Sequence, residues 1–219
     1  MHRTTFARQA ANLWAVKWRL WRALLERLPH DPHLSLVDSV PLPVCRFGRA
    51  PRCRRFRGQA AYGRDSGGRC TFYGFKLHPR VCWPGVVAAL VVAPANIADP
   101  APVPELAAGA AGLLLGDRNY WHPQLAAELA PAGLALLAPF RKRSRDPAPT
   151  RSHLLNRLRW RIETVAAQFT ARYHAKRTWA RDPWHLTSRM LRKVLSHTLC
   201  ILLNAQAGRS PLHLADLLI

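Results

Sequence analysis

The sequence predicts an α/β fold in which helices cover a mixed sheet. Strand-like and helical patterns follow one another in the order strand, strand, strand, helix, strand, helix, strand, helix, which is typical of such a layered fold. Residues 86–93 are apolar almost without interruption, which indicates a strand buried on both faces. Apolar residues make up 49% of the 219 residues, so the chain can bury one good core.

Five strands are predicted from short apolar runs bounded by turn residues. They lie at residues 34–38, 71–78, 86–93, 113–115 and 134–138. Pro41 and Pro43 prevent the first strand from continuing as a central strand, because proline cannot donate a ladder hydrogen bond. Residues 46–69 contain eight arginines and no apolar period, and they predict a basic loop.

Five helices are predicted from apolar spacing and from proline and glycine at their ends. They lie at residues 4–28, 102–110, 123–130, 151–175 and 185–207. Residues 141–150 are basic and contain proline, so they predict a linker. We divide the chain into three regions: a helical segment at 1–30, a main domain at 31–180 that carries all the predicted strands, and a helical segment at 181–219.

The charge of the chain points to a polyanionic partner. The formal net charge is +21, from 33 basic and 12 acidic residues, and nucleic acid is the first candidate partner. The alternative is an arginine-rich surface without such a role. No apolar run reaches the roughly 18 residues that span a bilayer, so no membrane partner is expected. The five cysteines show no C-x-x-C spacing, which argues against zinc, and scattered thiols fit the cytoplasm.

Three carboxylates stand in positions that suggest a metal site. Asp38 follows the first predicted strand, Asp117 follows the fourth, and Glu163 lies inside the helix predicted over 151–175. Carboxylate oxygens are the ligands that Mg²⁺ prefers, and two such ions can promote phosphodiester cleavage. Two alternatives remain open: Asp38 could cap a turn, and Glu163 could form a solvated ion pair with Arg159.

Four segments, in order along the chain, resemble bacterial insertion-sequence transposases of the DDE class. Residues 37–45, Val-Asp-Ser-Val-Pro-Leu-Pro-Val-Cys, resemble the segment of the first aspartate, and residues 73–78, Tyr-Gly-Phe-Lys-Leu-His, resemble the G-x-K-L-H segment. Residues 115–120, Leu-Gly-Asp-Arg-Asn-Tyr, resemble the second-aspartate motif. Residues 159–165 resemble the glutamate helix, with Arg159 four residues before the acid.

This resemblance implies an RNase H-like mixed five-stranded sheet flanked by helices, with an extra N-terminal and a C-terminal helix. It implies that Asp38, Asp117 and Glu163 are catalytic and hold two Mg²⁺ ions, for which Mn²⁺ could substitute. The implied reaction is cleavage at insertion-sequence ends followed by strand transfer into double-stranded target DNA, by a homodimer associated with the bacterial nucleoid. It also implies that the chain is N-terminally shortened. Thr170 departs from the family, which often has a basic residue there.

Basic residues near these motifs are predicted to bind DNA phosphates. They are Arg54, Arg55, Lys76, His78, Arg118, Arg141, Lys142, Arg143, Arg159, Lys176 and Arg177. Lys76 and His78 alternate with apolar residues, so they share one face of the second strand. The alternatives are a polar pair on a sheet edge and a solvated charged loop.

Three functions remain open at this point. The first is a transposase that cleaves DNA and transfers strands. The second is an RNase H-like nuclease that performs only the hydrolytic step. The third is a catalytically inactive, truncated DNA-binding remnant of a transposase.

Overall fold

A computed structural model describes residues 3–65, 69–142, 145–215 and 217, without the side chains of residues 3 and 7. Among these residues, seven strands form one mixed sheet. The strands are β1 (Asp31–Val37), β2 (Val40–Arg46), β3 (Ala61–Asp65), β4 (Cys70–Trp83), β5 (Val86–Pro94), β6 (Gly112–Leu115) and β7 (Leu134–Leu137). No helix within the described ranges is both long enough and apolar enough to cross a membrane.

Seven α-helices accompany the described part of the sheet. They are α1 (Arg3–Asn12), α2 (Trp14–Leu25), α3 (Val103–Leu106), α4 (Pro123–Leu129), α5 (Pro149–Leu158), α6 (Trp160–Ala171) and α7 (Pro183–Gln206). The helix predicted over 4–28 is therefore interrupted at Leu13, and the helix predicted over 151–175 is interrupted at Arg159. That second helical region also ends earlier, at a chain reversal in which His174 has a φ of 50°.

The order of the sheet confirms the predicted RNase H-like arrangement. β1 runs parallel to β6, β6 runs parallel to β7, and β4 lies antiparallel to both β1 and β5. The five predicted strands therefore form the central sheet in the order β5, β4, β1, β6, β7. Parallel neighbours place the carboxyl ends of β1 and β6 at one edge, which is where two of the predicted catalytic residues follow.

The first strand continues past the two prolines, which the sequence analysis did not predict. Val37 pairs with Arg80 and Val40 pairs with Leu77, so β1 and β2 follow β4 in one register with an interruption between them. β2 has no partner among the described strands other than β4, so it is an edge strand in which proline is tolerated. The interruption contains Asp38, and the same register places Pro79, which lacks an N–H, opposite it.

The predicted basic loop at 46–69 was wrong in part, because it contains regular structure. Residues 47–52 form a 3₁₀ helix, and β3 pairs with the first residues of β4. Gly74 of β4 lies close to the backbone of β2, since a Cβ there would lie 2.3 Å from the carbonyl oxygen of Leu42. The apolar signal is weak because alternate residues of β3 face solvent.

Two hydrophobic clusters cover the two faces of the sheet. The larger cluster joins β1, β4 and β6 to α2, α6 and α7, and its buried members include Leu36, Leu77, Ile162 and Met190. The smaller cluster joins Val37 and Leu114 to α3 and α4. Helices that pack on both faces fix where the strand ends lie. α6, which carries Glu163, is thereby fixed over the face of the sheet near Asp38.

Candidate active site

The first two predicted catalytic residues follow adjacent parallel strands. Leu36 of β1 pairs with Leu115 of β6, and Asp38 and Asp117 each come two residues later. Their charges also act on one another, because Asp117 is one of the groups that raise the pKa of Asp38. The pairing of β1 with β6 therefore brings together two acids that are 79 positions apart in the chain.

Asp117 begins the 3₁₀ turn at residues 118–120 and caps it. Its Oδ1 accepts a hydrogen bond from the backbone N–H of Asn119 at 2.8 Å, and its Oδ2 accepts one from Asn119 Nδ2 at 3.2 Å. The preceding Gly116 leaves room for the turn, since a Cβ there would lie 2.5 Å from the Cβ of Tyr120. The Gly-Asp sequence thus fixes both the turn and the carboxylate.

Arg159 connects the first aspartate to the glutamate helix. Its Nη2 lies 3.6 Å from Asp38 Oδ2 and 3.9 Å from Glu163 Oε1. Because both oxygens lie within 3.9 Å of one nitrogen, they are less than twice that distance apart. Arg159 and Glu163 therefore form the ion pair that one alternative predicted. The Arg159 side chain is only 15% exposed, however, and it also pairs with Asp38.

Burial disfavours the charged form of both aspartates. It raises the pKa of Asp38 from its ordinary value of 3.8 to about 6, and the charges of Asp117 and Asp99 add to this effect. Two groups lower the pKa of Asp38 by a smaller amount. The Ser39 N–H donates a hydrogen bond to Asp38 Oδ1 at 2.8 Å, and the Arg159 guanidinium lies nearby. The pKa of Asp117 is also raised, mainly by burial. Negative charge at this edge is thus only partly neutralised by the protein.

The raised pKa of Asp38 predicts a stability that depends on pH. Since the folded state binds the proton more tightly than the unfolded chain, stability should fall as pH rises from about 3.8 to about 6. In buffer without divalent metal, Asp38→Asn should raise the free energy of unfolding at pH 7.5 by on the order of 2 kcal/mol. The difference in the free energy of unfolding between Asp38→Asn and the wild-type protein should largely disappear near pH 4.

Chemical denaturation of both proteins at the two pH values measures this effect. Asp31→Asn, at the exposed start of the same strand, is the matched control and should change stability little at either pH. A destabilised Asp38→Asn protein at pH 7.5 would contradict the prediction.

A fourth carboxylate, which the sequence analysis missed, lies at the same place. The charge of Asp99 contributes to the raised pKa of both Asp38 and Asp117. Asp99 Oδ1 also accepts a hydrogen bond from Lys76 Nζ at 2.8 Å, and Lys76 donates to the carbonyl oxygen of Ile97 at 3.1 Å. Asp99 follows β5 after a short loop, so the reasoning applied to acids at strand ends could have identified it.

Two buried polar side chains lie behind these carboxylates. His78 is 0% exposed, and burial lowers its pKa to about 4, so it is neutral at pH 7. A phosphate could not reach this imidazole in the described arrangement, which argues against the predicted contact with DNA. Tyr120 is also buried, and its pKa is raised by burial and by the charges of Asp99, Asp38 and Asp117. Its hydroxyl has no hydrogen-bond partner among the described protein atoms.

Several other predicted DNA-binding residues are exposed. Arg54, Arg55, Arg118, Arg141, Lys142 and Arg177 all face solvent. Arg143 lies outside the described residues. Lys76 and Arg159 are instead held by acids of the candidate site, and Lys176 Nζ lies 2.6 Å from Asp65 Oδ2.

A basic groove brings predicted residues from distant segments together. It is lined by Arg46 and Arg55 on one side and by Lys176 and Arg177 on the other. Arg55 also lines an adjoining cavity with Arg49, Arg52 and Arg54. The cationic residues thus form a continuous surface, as the electrostatic contacts of a DNA backbone require.

The predicted catalytic carboxylates do not form a closed cluster in this structure. Among the described residues, no three His, Cys, Asp or Glu side chains are grouped so that they could hold a metal ion. Arg159 lies between Asp38 and Glu163, and the Glu163 side chain is 62% exposed. The structure therefore brings Asp38, Asp117 and Asp99 into one electrostatic site and leaves Glu163 at its rim.

An RNase H-like sheet with acids at the ends of two parallel central strands defines a class of proteins that act on nucleic acids. Residues 30–182, more than half of the chain, match the family described as "Transposase DDE domain". The chain belongs to this transposase family. Comparisons with curated proteins and with solved structures gave no match.

Proposed function

We propose that this chain is a Mg²⁺-dependent transposase that cleaves DNA at insertion-sequence ends and transfers the freed strand into target DNA. Asp38, Asp117 and Glu163 are its catalytic carboxylates. The observation that carries the proposal is the meeting of Asp38 and Asp117 at one sheet edge, with Glu163 joined to Asp38 through Arg159. Membership in the transposase family supports the same function.

The donor chemistry of the site fits a divalent cation, although its described side chains are not grouped around one point in this structure. All the donors are carboxylate oxygens, which are the hard ligands that Mg²⁺ takes. Burial, with a smaller effect of neighbouring acids, raises the pKa of Asp38 and Asp117, and a bound cation would favour their charged forms. The Arg159 guanidinium now lies between Asp38 and Glu163, so these two carboxylates would share an ion only if the guanidinium moved aside. Asp38, Asp117 and Glu163 would hold the metal.

The side chains have separable roles in the proposed reaction. Metal ions held by these carboxylates would supply an activated nucleophile and would stabilise the leaving oxygen of the phosphodiester. Asp38 and Asp117 hold their carboxylates in fixed positions through the hydrogen bonds from Ser39 and Asn119. Arg159 orients Asp38 and Glu163, and Lys76 orients Asp99. Exposed Arg118, directly after Asp117, can neutralise a phosphate that approaches the site.

Nicking of supercoiled plasmid tests the proposal directly. Nicked product should form with Mg²⁺ or Mn²⁺ and should be absent with EDTA. A linear duplex carrying the ends of the insertion sequence should additionally yield strand-transfer products when a target plasmid is present. Nicking without strand transfer would favour the RNase H-like nuclease, and DNA binding without metal-dependent nicking would favour the inactive remnant.

A further inference from the structure

Two thiols, those of Cys45 and Cys53, lie at one basic cavity, which has a volume of about 500 Å³. The described residues that line this cavity include no acid and four arginines, which are Arg49, Arg52, Arg54 and Arg55. Both cysteines are free and partly exposed, so a small reagent in solvent can reach them. The function proposed above uses neither sulfur.

A short reversal of the chain brings the two cysteines together. Cys45 is the second-last residue of β2, the 3₁₀ helix at residues 47–52 follows, and Cys53 comes directly after that helix. The Cys53 N–H donates a hydrogen bond to the carbonyl oxygen of Ala50 at 3.0 Å, and Ala50 is buried, which fixes the reversal. A side-chain hydrogen bond then joins the two thiols. The sulfurs therefore lie next to one another without a covalent bond.

Tyr73 of β4 is a neighbour of both sulfurs. Cys45 pairs with Tyr73 in the sheet, and the Tyr73 hydroxyl donates a hydrogen bond to the carbonyl oxygen of Phe56 at 3.1 Å. Burial raises the pKa of Tyr73, and the charges of Cys53 and Cys45 add to this effect. Because the sheet and the segment after Cys53 are both held at Tyr73, a bond between the sulfurs requires only a local movement.

Electrostatics give the two thiols different chemical roles. Burial raises the pKa of Cys45 to about 11, and Cys53 adds to this effect, so Cys45 keeps its proton at neutral pH. Cys53 stands between Arg52 and Arg54 in the chain, and nearby positive charge favours the thiolate, which is the nucleophilic form. Cys53 is therefore the attacking sulfur, and Cys45 is the thiol that completes the reaction.

We propose that Cys45 and Cys53 are a pair that hydrogen peroxide oxidises to a disulfide, and that this bond lowers the affinity of the basic groove for DNA. The Cys53 thiolate attacks one oxygen of the peroxide and breaks the O–O bond, which gives a sulfenic acid and hydroxide. The Cys45 thiol then attacks the Cys53 sulfur, the S–S bond forms and water leaves. The pair passes two electrons to the peroxide, and exchange with cellular thiols reverses the oxidation.

The disulfide would change the surface that the arginines form. Bonded sulfurs are about 2 Å apart, which is closer than two thiols in a hydrogen bond, so the chain at Cys53 moves towards β2. Arg52 and Arg54 move with it, towards the cavity and away from a phosphate outside. Cys45 also lines the adjoining groove. Loss of one phosphate contact should lower DNA affinity about fivefold. This consequence rests on the proposed function, whereas formation of the disulfide does not.

Peptide mapping and DNA binding on the same samples test the proposal. Reduced protein is treated with hydrogen peroxide, the remaining thiols are alkylated, and tryptic peptides are identified by mass. Trypsin cleaves after Arg46, Arg52 and Arg54, so Cys45 and Cys53 fall on different peptides and their crosslink is unambiguous. The crosslink should form. Anisotropy with a fully paired duplex in EDTA should show the loss of affinity by about fivefold, and dithiothreitol should reverse it.

Serine variants separate the two sulfurs from general oxidation. Cys45→Ser and Cys53→Ser should both keep their DNA affinity in peroxide. Dimedone, which traps sulfenic acids, should label Cys53 in Cys45→Ser and should leave Cys45 unlabelled in Cys53→Ser. Cys70→Ser is the matched control, because Cys70 is exposed at the start of β4 and is not among the described residues that line either cavity. This control should respond to peroxide as the wild-type protein does.

Three results would overturn the proposal. They are the absence of the crosslink in the wild-type protein, a crosslink that leaves DNA affinity unchanged, and a loss of affinity that persists in both serine variants. Thermal unfolding of each reduced protein shows whether a variant is folded, and the mapping of the wild-type protein decides the first result without any variant. Metal-dependent nicking is measured separately on reduced protein, so its absence would count against the proposed function and not against the disulfide.

Discussion

Replacing Asp117 with asparagine should reduce metal-dependent DNA nicking by at least about 10³-fold, because a neutral amide cannot replace a charged metal ligand. The local structure should survive, since the remaining side-chain oxygen can still accept the hydrogen bond from the Asn119 N–H. DNA affinity measured without metal should stay within about threefold of wild type, because the substitution removes no phosphate-binding group.

The comparison needs a control that changes the same functional group elsewhere. Asp31→Asn alters an exposed aspartate at the opposite end of β1 and should leave nicking unchanged. Initial rates of plasmid nicking in Mg²⁺, with thermal unfolding of each protein, supply the measurement. An Asp117→Asn protein that folds normally and retains a tenth or more of the wild-type rate would remove Asp117 from the catalytic set.

The central sheet was predictable because burial leaves a direct trace in the sequence. β5 is apolar along its length, and all its residues are buried or half-buried. Among the described strands, the two missed ones, β2 and β3, each pair with β4 alone. Edge strands tolerate proline and polar residues, so Pro41 and Pro43, which exclude a central strand, are compatible with the edge strand β2, which the sequence analysis did not predict.

The positions of the acids were predictable, but their partners were not. Asp38 and Asp117 meet because parallel strands end at one edge, and Arg159 reaches Glu163 because they are four residues apart on one helical face. The pairing of Lys76 with Asp99 joins β4 to the loop after β5 and follows no sequence period. His78 was predicted to share one face of its strand with Lys76 and to approach a phosphate, but it pairs with Val91 of β5 inside the sheet and is fully buried.

The basic groove determines the second large effect, which is a steep dependence of DNA affinity on salt. Each phosphate that a lysine or arginine neutralises releases bound counterions, and the logarithm of affinity falls with the logarithm of salt by roughly 0.9 per contact. If about six to ten phosphates are contacted, affinity should fall by about 10³ to 10⁵ between 50 and 200 mM salt. Anisotropy titrations with a fully paired duplex measure the slope.

Charge reversal at the groove tests whether the slope comes from this surface or from net charge alone. The double variant Arg54→Glu/Arg55→Glu removes two exposed arginines, of which Arg55 lines both basic cavities. It should lower the salt slope by about 1.8 and weaken binding to all sequences alike, because phosphate contacts carry no base information.

The control variant Arg27→Glu/Arg209→Glu makes the same change in net charge at exposed positions that line neither cavity, and it should change the slope much less. Equal slopes in the two double variants would show that overall charge, and not the groove, holds the DNA, and a wild-type slope near zero would exclude electrostatic binding altogether.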